Sequence, residues 1–310
     1  MIPKNKFIAI AAIFIFVFSI LFIGIQLNSQ KEDIPANTEE DSQLSTSSTD
    51  NEHYNPRSVE KIFIKGSDTI LPVSQAETDA YMKMNPEHEV IVIGGGSSLG
   101  IASFIEGEVE IAMASRKIRE SEIEAASVKD IDPIETVIAW DGISVIVNKG
   151  KPVESLSLQQ LRQIYTGEIT NWKELGGNDE NIKVLVRDTS SGTYGFFKEN
   201  VLLDQEYSQS AITEPNTEAV VDDVATNTAA IGYIGLAYMD ESVKMLGLGT
   251  EEGTFYPEAD LIRQGTYPLS RPLQYYTDGR PEGVVKEYID FVLSDTGQEI
   301  VANVGYLPVR

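Results

Sequence analysis

The chain contains no cysteine, and of its 310 residues only His53 and His88 are histidine. Without a thiol there is no cysteine nucleophile, no Fe–S cluster, no thiolate zinc site and no disulfide. The usual lipoprotein anchor, built on a cysteine just after the signal sequence, is excluded as well. A Ser-His-Asp triad would rest on His88 alone, because His53 lies in a polar, low-complexity stretch. His88 sits in "NPEHEV", where a solvated turn residue is the ordinary reading. Basic residues are scarce too: 24 Lys and Arg stand against 48 Asp and Glu, a net charge of −24. So acidic a chain repels nucleic acid and anionic lipid, and neither is an expected partner. No cofactor and no metal site is expected.

What is present begins with a long apolar run. Phe7 to Gln26 carries no charge and has about the twenty residues needed to cross a bilayer. Lys4 and Lys6 precede it, which should keep the N-terminal tail in the cytoplasm and export the rest. "GIQLNSQ" has no good small-x-small cleavage site. Residues 1–29 are therefore expected to form an uncleaved transmembrane anchor. Residues 30–58 are rich in Ser, Thr, Glu, Asp and Asn and poor in large apolar side chains. They cannot bury enough surface to offset their chain entropy, and read as a disordered acidic linker.

From Val59 onward short β-rich runs alternate with helical patterns. "KIFIKG", "EVIVIGGG", "VEIAMAS", "GISVIVNK" and "IKVLVR" read as strands. "SLQQLRQIYTG" reads as a helix with Ser157 as its N-cap, and "GVVKEYIDFVLSDTGQEIVANVG" as closing amphipathic helix. This alternation with short connections predicts an α/β fold with largely parallel sheets.

Three places share one design: a β-rich run, a turn of small hydroxyl residues and glycine, then a helix. They are "IKGSDTILP", "VIGGGSSLGI" and "LVRDTSSGTYGFF". Each helix start presents free N–H groups and the positive end of its dipole, and the small side chains let an anion approach. Any one alone is an ordinary capped helix. Three together, one carrying Arg187, point to an anion site, which in an α/β sheet would lie at the carboxyl ends of the strands. "GGGSSLG" lacks the Lys-Ser/Thr ending of a phosphate-binding P-loop, and Leu99 replaces the third glycine of a dinucleotide fingerprint. Gly-x-Ser-x-Gly is absent from "GTYG". A small tetrahedral oxyanion fits better than a nucleotide.

"GSDTILP", "GGGSSLGI", "IAMASR", "DGISVIVN", "IYTGEITNW", "RDTSSGTYGFF", "AIGYIGL", "YPLSRPL" and "GYLPV" follow one another from about Lys61 to Arg310. In this order they resemble the phosphate-binding proteins of phosphate ABC transporters. The resemblance implies a two-lobed fold of the type II periplasmic-binding-protein kind. Each lobe would be a mixed, mostly parallel sheet flanked by helices, with the ligand in the cleft between them. The chain would cross twice, with 59–138 plus 241–310 forming lobe I and 139–240 lobe II. It also implies an anion held by Ser67, Thr69, Ser97, Arg187, Ser191, Gly192 and Thr193. Ser115 and Arg116 end a strand that should face the cleft.

In the best-known branch of that family an aspartate follows the serine of the "IAMAS" strand, where this chain has Arg116. That aspartate accepts the proton that phosphate keeps and sulfate lacks. Leaving such an acceptor unpaired against sulfate would cost roughly tenfold or more in affinity. Asp141 in "WDGISVIVN" is the first candidate to take over this task, and Asp68 the second. Asp141 could equally be a hinge residue bonded to backbone. Arg116 would be a second anion ligand or the ion-pair partner of Asp141.

The expected function is an extracytoplasmic binding protein that delivers inorganic phosphate to the membrane subunits of an ABC permease, tethered by its N-terminal helix. The alternatives are a membrane-tethered phosphate sensor, a binder of another tetrahedral oxyanion, and, less favoured, a phosphatase. Phosphatase sites usually need a metal cluster or a cysteine.

Overall fold

The computed structural model describes residues 60–310. The anchor and linker expected at 1–29 and 30–58 lie outside the described residues. Among the described residues no helix is long and apolar enough to cross a membrane.

The first three strand–helix units are β1 (Glu60–Gly66) with α1 (Leu71–Met84), β2 (His88–Ile93) with α2 (Ser97–Ile105), and β3 (Ile111–Ala114) with α3 (Glu120–Val128). β1 runs parallel to both β2 and β3. Its alternation turns Ile62 and Ile64 into the core, as the two-residue period of a strand requires. Pro72 stands in the first turn of α1, where its missing N–H leaves no hydrogen bond unmade.

β4 (Pro133–Asn148) is 16 residues long and carries the chain into a second half. There follow β5 (Ser155–Ser157), α4 (Leu158–Thr166), β6 (Lys183–Arg187), α5 (Gly192–Asn200), β7 (Ile212–Glu214), α6 (Thr217–Thr226), β8 (Ala230–Gly235), β9 (Val243–Thr250), β10 (Gly253–Phe255) and α7 (Ala259–Arg263). The return is β11 (Ser270–Asp278), and α8 (Gly283–Val292) and α9 (Asp295–Val304) close the chain. The strand order is β2-β1-β3-β11-β4-β8-β6-β7. β11 is antiparallel to both β3 and β4, while β6 pairs in parallel with β7 and β8.

Among the described residues, the two largest of four apolar clusters divide this path. Ile138 and Ala139 of β4 pack with Ile62, Ile64, Leu273, Tyr275 and Val301. Ile143, Val145 and Val147 of the same strand pack with Tyr165, Val184, Tyr233, Leu246 and Leu269. The protein is thus two-lobed, and β4 and β11 are the strands that cross. They cross side by side, with Trp140 opposite Pro272, Asp141 opposite Arg271 and Gly142 opposite Ser270.

One expected boundary differs. The sequence places residues 241–310 in lobe I, but β9 pairs with β4 and β5, and Leu246, Leu248, Ile262, Tyr267 and Leu269 belong to the second core. The chain returns to the first lobe only with β11. β9 needs a sheet edge, and the second half of β4 offers it.

A carboxyl is buried against the first core. Glu77 on α1 is fully buried, with the Tyr275 hydroxyl 3.5 Å from one carboxyl oxygen and, among the described residues, no partner on the other. Burial pushes its carboxyl well above the usual range, against the weaker pull of the Tyr275 hydrogen bond. A carboxyl raised in the folded state loses folding stability as pH climbs from its unfolded value toward its folded one. Glu77→Gln keeps the shape and removes the titration. Thermal melts are expected to show a higher Tm than wild type at pH 8, each kcal/mol reading as roughly 2–4 °C, with the two curves converging in acid.

Candidate functional site

The three hydroxyl-rich turns sit between β1 and α1, β2 and α2, and β6 and α5. In the first, the Ser67 N–H donates to the Met113 carbonyl at 2.9 Å. Gly66 makes that approach possible, because a Cβ there would lie 2.2 Å from the same carbonyl oxygen. In the second, Gly96 has φ +94 and leads into Ser97 at the start of α2. A Cβ on Gly96 would stand 2.5 Å from the Ser190 carbonyl of the third turn, so the second and third turns are in direct contact across the lobes. The third is closed by Ser191, whose hydroxyl caps α5 by accepting the Tyr194 N–H at 3.3 Å.

Here the lobes meet through small polar groups. The Ser98 N–H donates to the Ser190 carbonyl at 3.0 Å. The Ser67 hydroxyl donates to the Ser115 hydroxyl at 2.9 Å, and the Ser115 N–H donates to the Ser97 hydroxyl at 3.1 Å. The hydroxyls of Thr69 and Thr193, from opposite lobes, are 2.9 Å apart. Gly192 rests on the two serines, since a Cβ there would fall 2.2 Å from Ser97 Oγ and 2.5 Å from Ser115 Oγ. Ser67, Thr69, Ser97, Ser115, Ser191 and Thr193 are all buried. The hydroxyls of Ser67, Ser97 and Ser115 lie within hydrogen-bond reach of one another, which concentrates neutral donors at the seam.

Two guanidinium groups flank it, each with a carboxylate. Arg187, at the end of β6, donates from Nη2 to Asp68 Oδ2 at 2.8 Å and from Nη1 to the Thr217 hydroxyl at 2.7 Å. Its buried Nε–H has no partner among the described residues. Asp68 in turn accepts the Gly95 N–H on Oδ1 at 2.7 Å. Arg271 donates from Nε and Nη2 to Asp141 Oδ2 at 2.9 and 2.7 Å, and neither side chain is exposed. Burial raises the Asp141 carboxyl, and the charge and hydrogen bonds of Arg271 pull against it. A shallow depression of about 440 Å³ opens outside the buried cluster, between Asp68 and Gly95 on one rim and Asp188, Ser190, Thr213 and Asn216 on the other. Among the described residues no group of three His, Cys, Asp or Glu is placed to hold a metal.

Nine of the ten residues singled out from the sequence gather here; Arg116 turns away. Its guanidinium donates to both oxygens of Glu122 at 2.9 and 2.7 Å, and to the Ser98 hydroxyl at 3.0 Å. Burial alone would raise the Glu122 carboxyl, but the bonds and charge of Arg116 and the Arg119 N–H hold it below its usual value. The partner of Asp141 is accordingly Arg271, not Arg116. The turn into α3 explains this: it brings Glu122 back beside Arg116, six residues earlier in the chain. Arg271 was missed. Its signal was an arginine inside the apolar "YPLSRPL", but no local pattern tells which carboxylate a buried arginine will meet.

Two α/β lobes joined by a pair of crossing strands, with buried hydroxyl groups facing inward between them, are the architecture of a solute-binding protein. A family model described as a PBP superfamily domain matches residues 43–296. The phosphate-binding protein PstS of Bacillus subtilis is 34% identical over 249 residues, covering 79% of this chain and 80% of that protein. A putative phosphate ABC transporter substrate-binding protein from Clostridium perfringens, solved with bound phosphate, superposes with a TM-score of 0.74 at 36% identity, over 81% of this chain and 100% of that one. An ABC-type phosphate transport receptor from Vibrio cholerae gives 0.67 at 32%, over 79% and 99%. The chain belongs to the PstS family of phosphate-binding proteins within the PBP superfamily.

The contact at Gly96 offers a test of the closed arrangement. Gly96→Ala would strain a left-handed backbone position and push on the Ser190 carbonyl, at a cost of about 1–3 kcal/mol. Small-angle scattering is expected to report a larger radius of gyration for the variant than for the wild type. Identical profiles would show that the second and third turns do not hold this contact in solution.

Proposed function

We propose that this chain is an extracytoplasmic solute-binding protein that captures inorganic phosphate between its lobes and delivers it to an ABC-type permease. It performs no catalysis. The observation that carries this reading is the convergence of hydroxyl and N–H donors from three helix starts, on both lobes, beside Arg187. A dehydrated tetrahedral oxyanion needs many short donors from all sides, and this cluster supplies them. The relatives described as phosphate-binding support the choice of anion.

In this reading Ser67, Thr69, Ser97, Ser115, Ser191 and Thr193 donate through hydroxyls, and Gly192 and Thr193 through backbone N–H groups. The unpartnered Nε–H of Arg187 is a further donor for the anion. Asp68 accepts the phosphate proton. Each of its oxygens takes one hydrogen bond and so keeps a free lone pair. Asp141 stands behind Arg271 and serves the site through that arginine. Residues 1–29 tether the protein to the membrane and 30–58 give it reach.

Isothermal titration of the full chain is expected to show tight phosphate binding that a large excess of sulfate does not displace. Asp68→Asn is expected to weaken phosphate by about tenfold or more relative to sulfate. Equal competition by sulfate in the wild type would reject phosphate as the selected anion. An unchanged preference in Asp68→Asn would reject the proton assignment alone.

A further inference from the structure

We infer that Arg271 is a positioning residue of the anion site: it holds the hydroxyls of Thr69 and Thr193, one from each lobe, as donors aimed at the ligand. The inference rests on the phosphate-binding reading above and deepens it.

The register places Arg271 directly opposite Asp141 where the two crossing strands pair. Directly opposed residues share a face of the sheet, so the arginine reaches the seam between the lobes from the one region that belongs to both. Its five N–H donors are fully assigned. Nε and one proton of Nη2 go to Asp141 Oδ2. Nη1 donates to the Ser115 carbonyl at 3.0 Å and to the Thr193 hydroxyl at 3.1 Å. The remaining proton of Nη2 points to the Thr69 hydroxyl at 3.4 Å. With every donor engaged, Arg271 acts on an anion through these hydroxyls.

A guanidinium can only donate, so both threonine oxygens accept from it. A hydroxyl that accepts from a cation is polarised into a stronger donor, and its own proton must point elsewhere. Thr69 and Thr193 lie 2.9 Å apart, with one donating to the other. An anion inserted between them can receive both protons while Arg271 stays in place behind. Two further contacts hold the arrangement. The Leu236 N–H donates to Asp141 Oδ1 at 2.9 Å, and the Phe196 ring of α5 lies 5.7 Å from the Arg271 guanidinium carbon. A simple strut between the lobes would need the Asp141 pair alone; the reach to Thr69 and Thr193 is what the inference explains.

Arg271→Lys keeps a cation opposite Asp141 but cannot span the carboxylate and both hydroxyls. Titration of the full-length variant is expected to show a Tm near wild type and phosphate affinity lowered about tenfold or more. In a Thr193→Val background the same change is expected to cost much less, because the two residues act through one contact. The double variant Arg271→Met with Asp141→Asn removes the buried pair without leaving a lone charge. It is expected to fold and to bind phosphate as weakly as Arg271→Lys. Wild-type affinity in either folded variant would overturn the inference, and so would strictly additive effects of Arg271→Lys and Thr193→Val. If the double variant does not fold, Arg271→Lys and its cycle with Thr193→Val decide. Failure of the wild-type chain to bind phosphate would reject the functional reading, and this inference with it.

Discussion

The buried ion pair between Asp141 and Arg271 is the interaction on which the architecture turns. It lies where β4 leaves the first lobe and β11 returns to it, on residues that face each other across the ladder. Two buried charges are costly to desolvate, and losing one partner typically costs about 3–5 kcal/mol. Here the cost is met by geometry: Asp141 accepts from two nitrogens of one guanidinium and from the Leu236 N–H, and every N–H of Arg271 has an acceptor. The pair ties the crossing strands together and, through Arg271, touches both lobes. It reaches Thr69 of the first turn and Thr193 of the third.

Charge is balanced locally around this cluster. Arg187 is matched by Asp68 and Arg271 by Asp141, so the guanidiniums add little net charge. What distinguishes the cleft is a dense set of neutral donors, hydroxyl and N–H, on short side chains that let the lobes approach closely. This explains how a chain of net charge −24 can present an anion site. Distant carboxylates are screened over about ten ångströms in physiological salt, whereas the local donors act at contact.

Much of this was legible along the chain. The strand–turn–helix units read from "IKGSDTILP", "VIGGGSSLGI" and "LVRDTSSGTYGFF" are the units that meet at the seam, because hydroxyl caps, glycine turns and strand alternation are local properties. The readings that failed depended on distant partners. The sequence suggests Arg116 as an anion ligand or a partner of Asp141, but Glu122 pairs with it. The sequence places 241–310 in the first lobe, but β9 finds its sheet edge in the second. Arg271 carries no local signal of its role, since a buried arginine acquires meaning only from the carboxylate placed opposite it.

The sequence by itself determined the α/β alternation, the three capped helix starts with their small donors, and the exclusion of thiol chemistry. Each follows from residue type and spacing within a dozen positions. Only the tertiary structure decided which charges pair, where the chain crosses back, and which hydroxyls touch. Those outcomes depend on strand register and lobe packing, which bring together residues as far apart as Asp141 and Arg271 or Thr69 and Thr193. No local propensity encodes a pairing across such separations; it emerges from burying both cores at once.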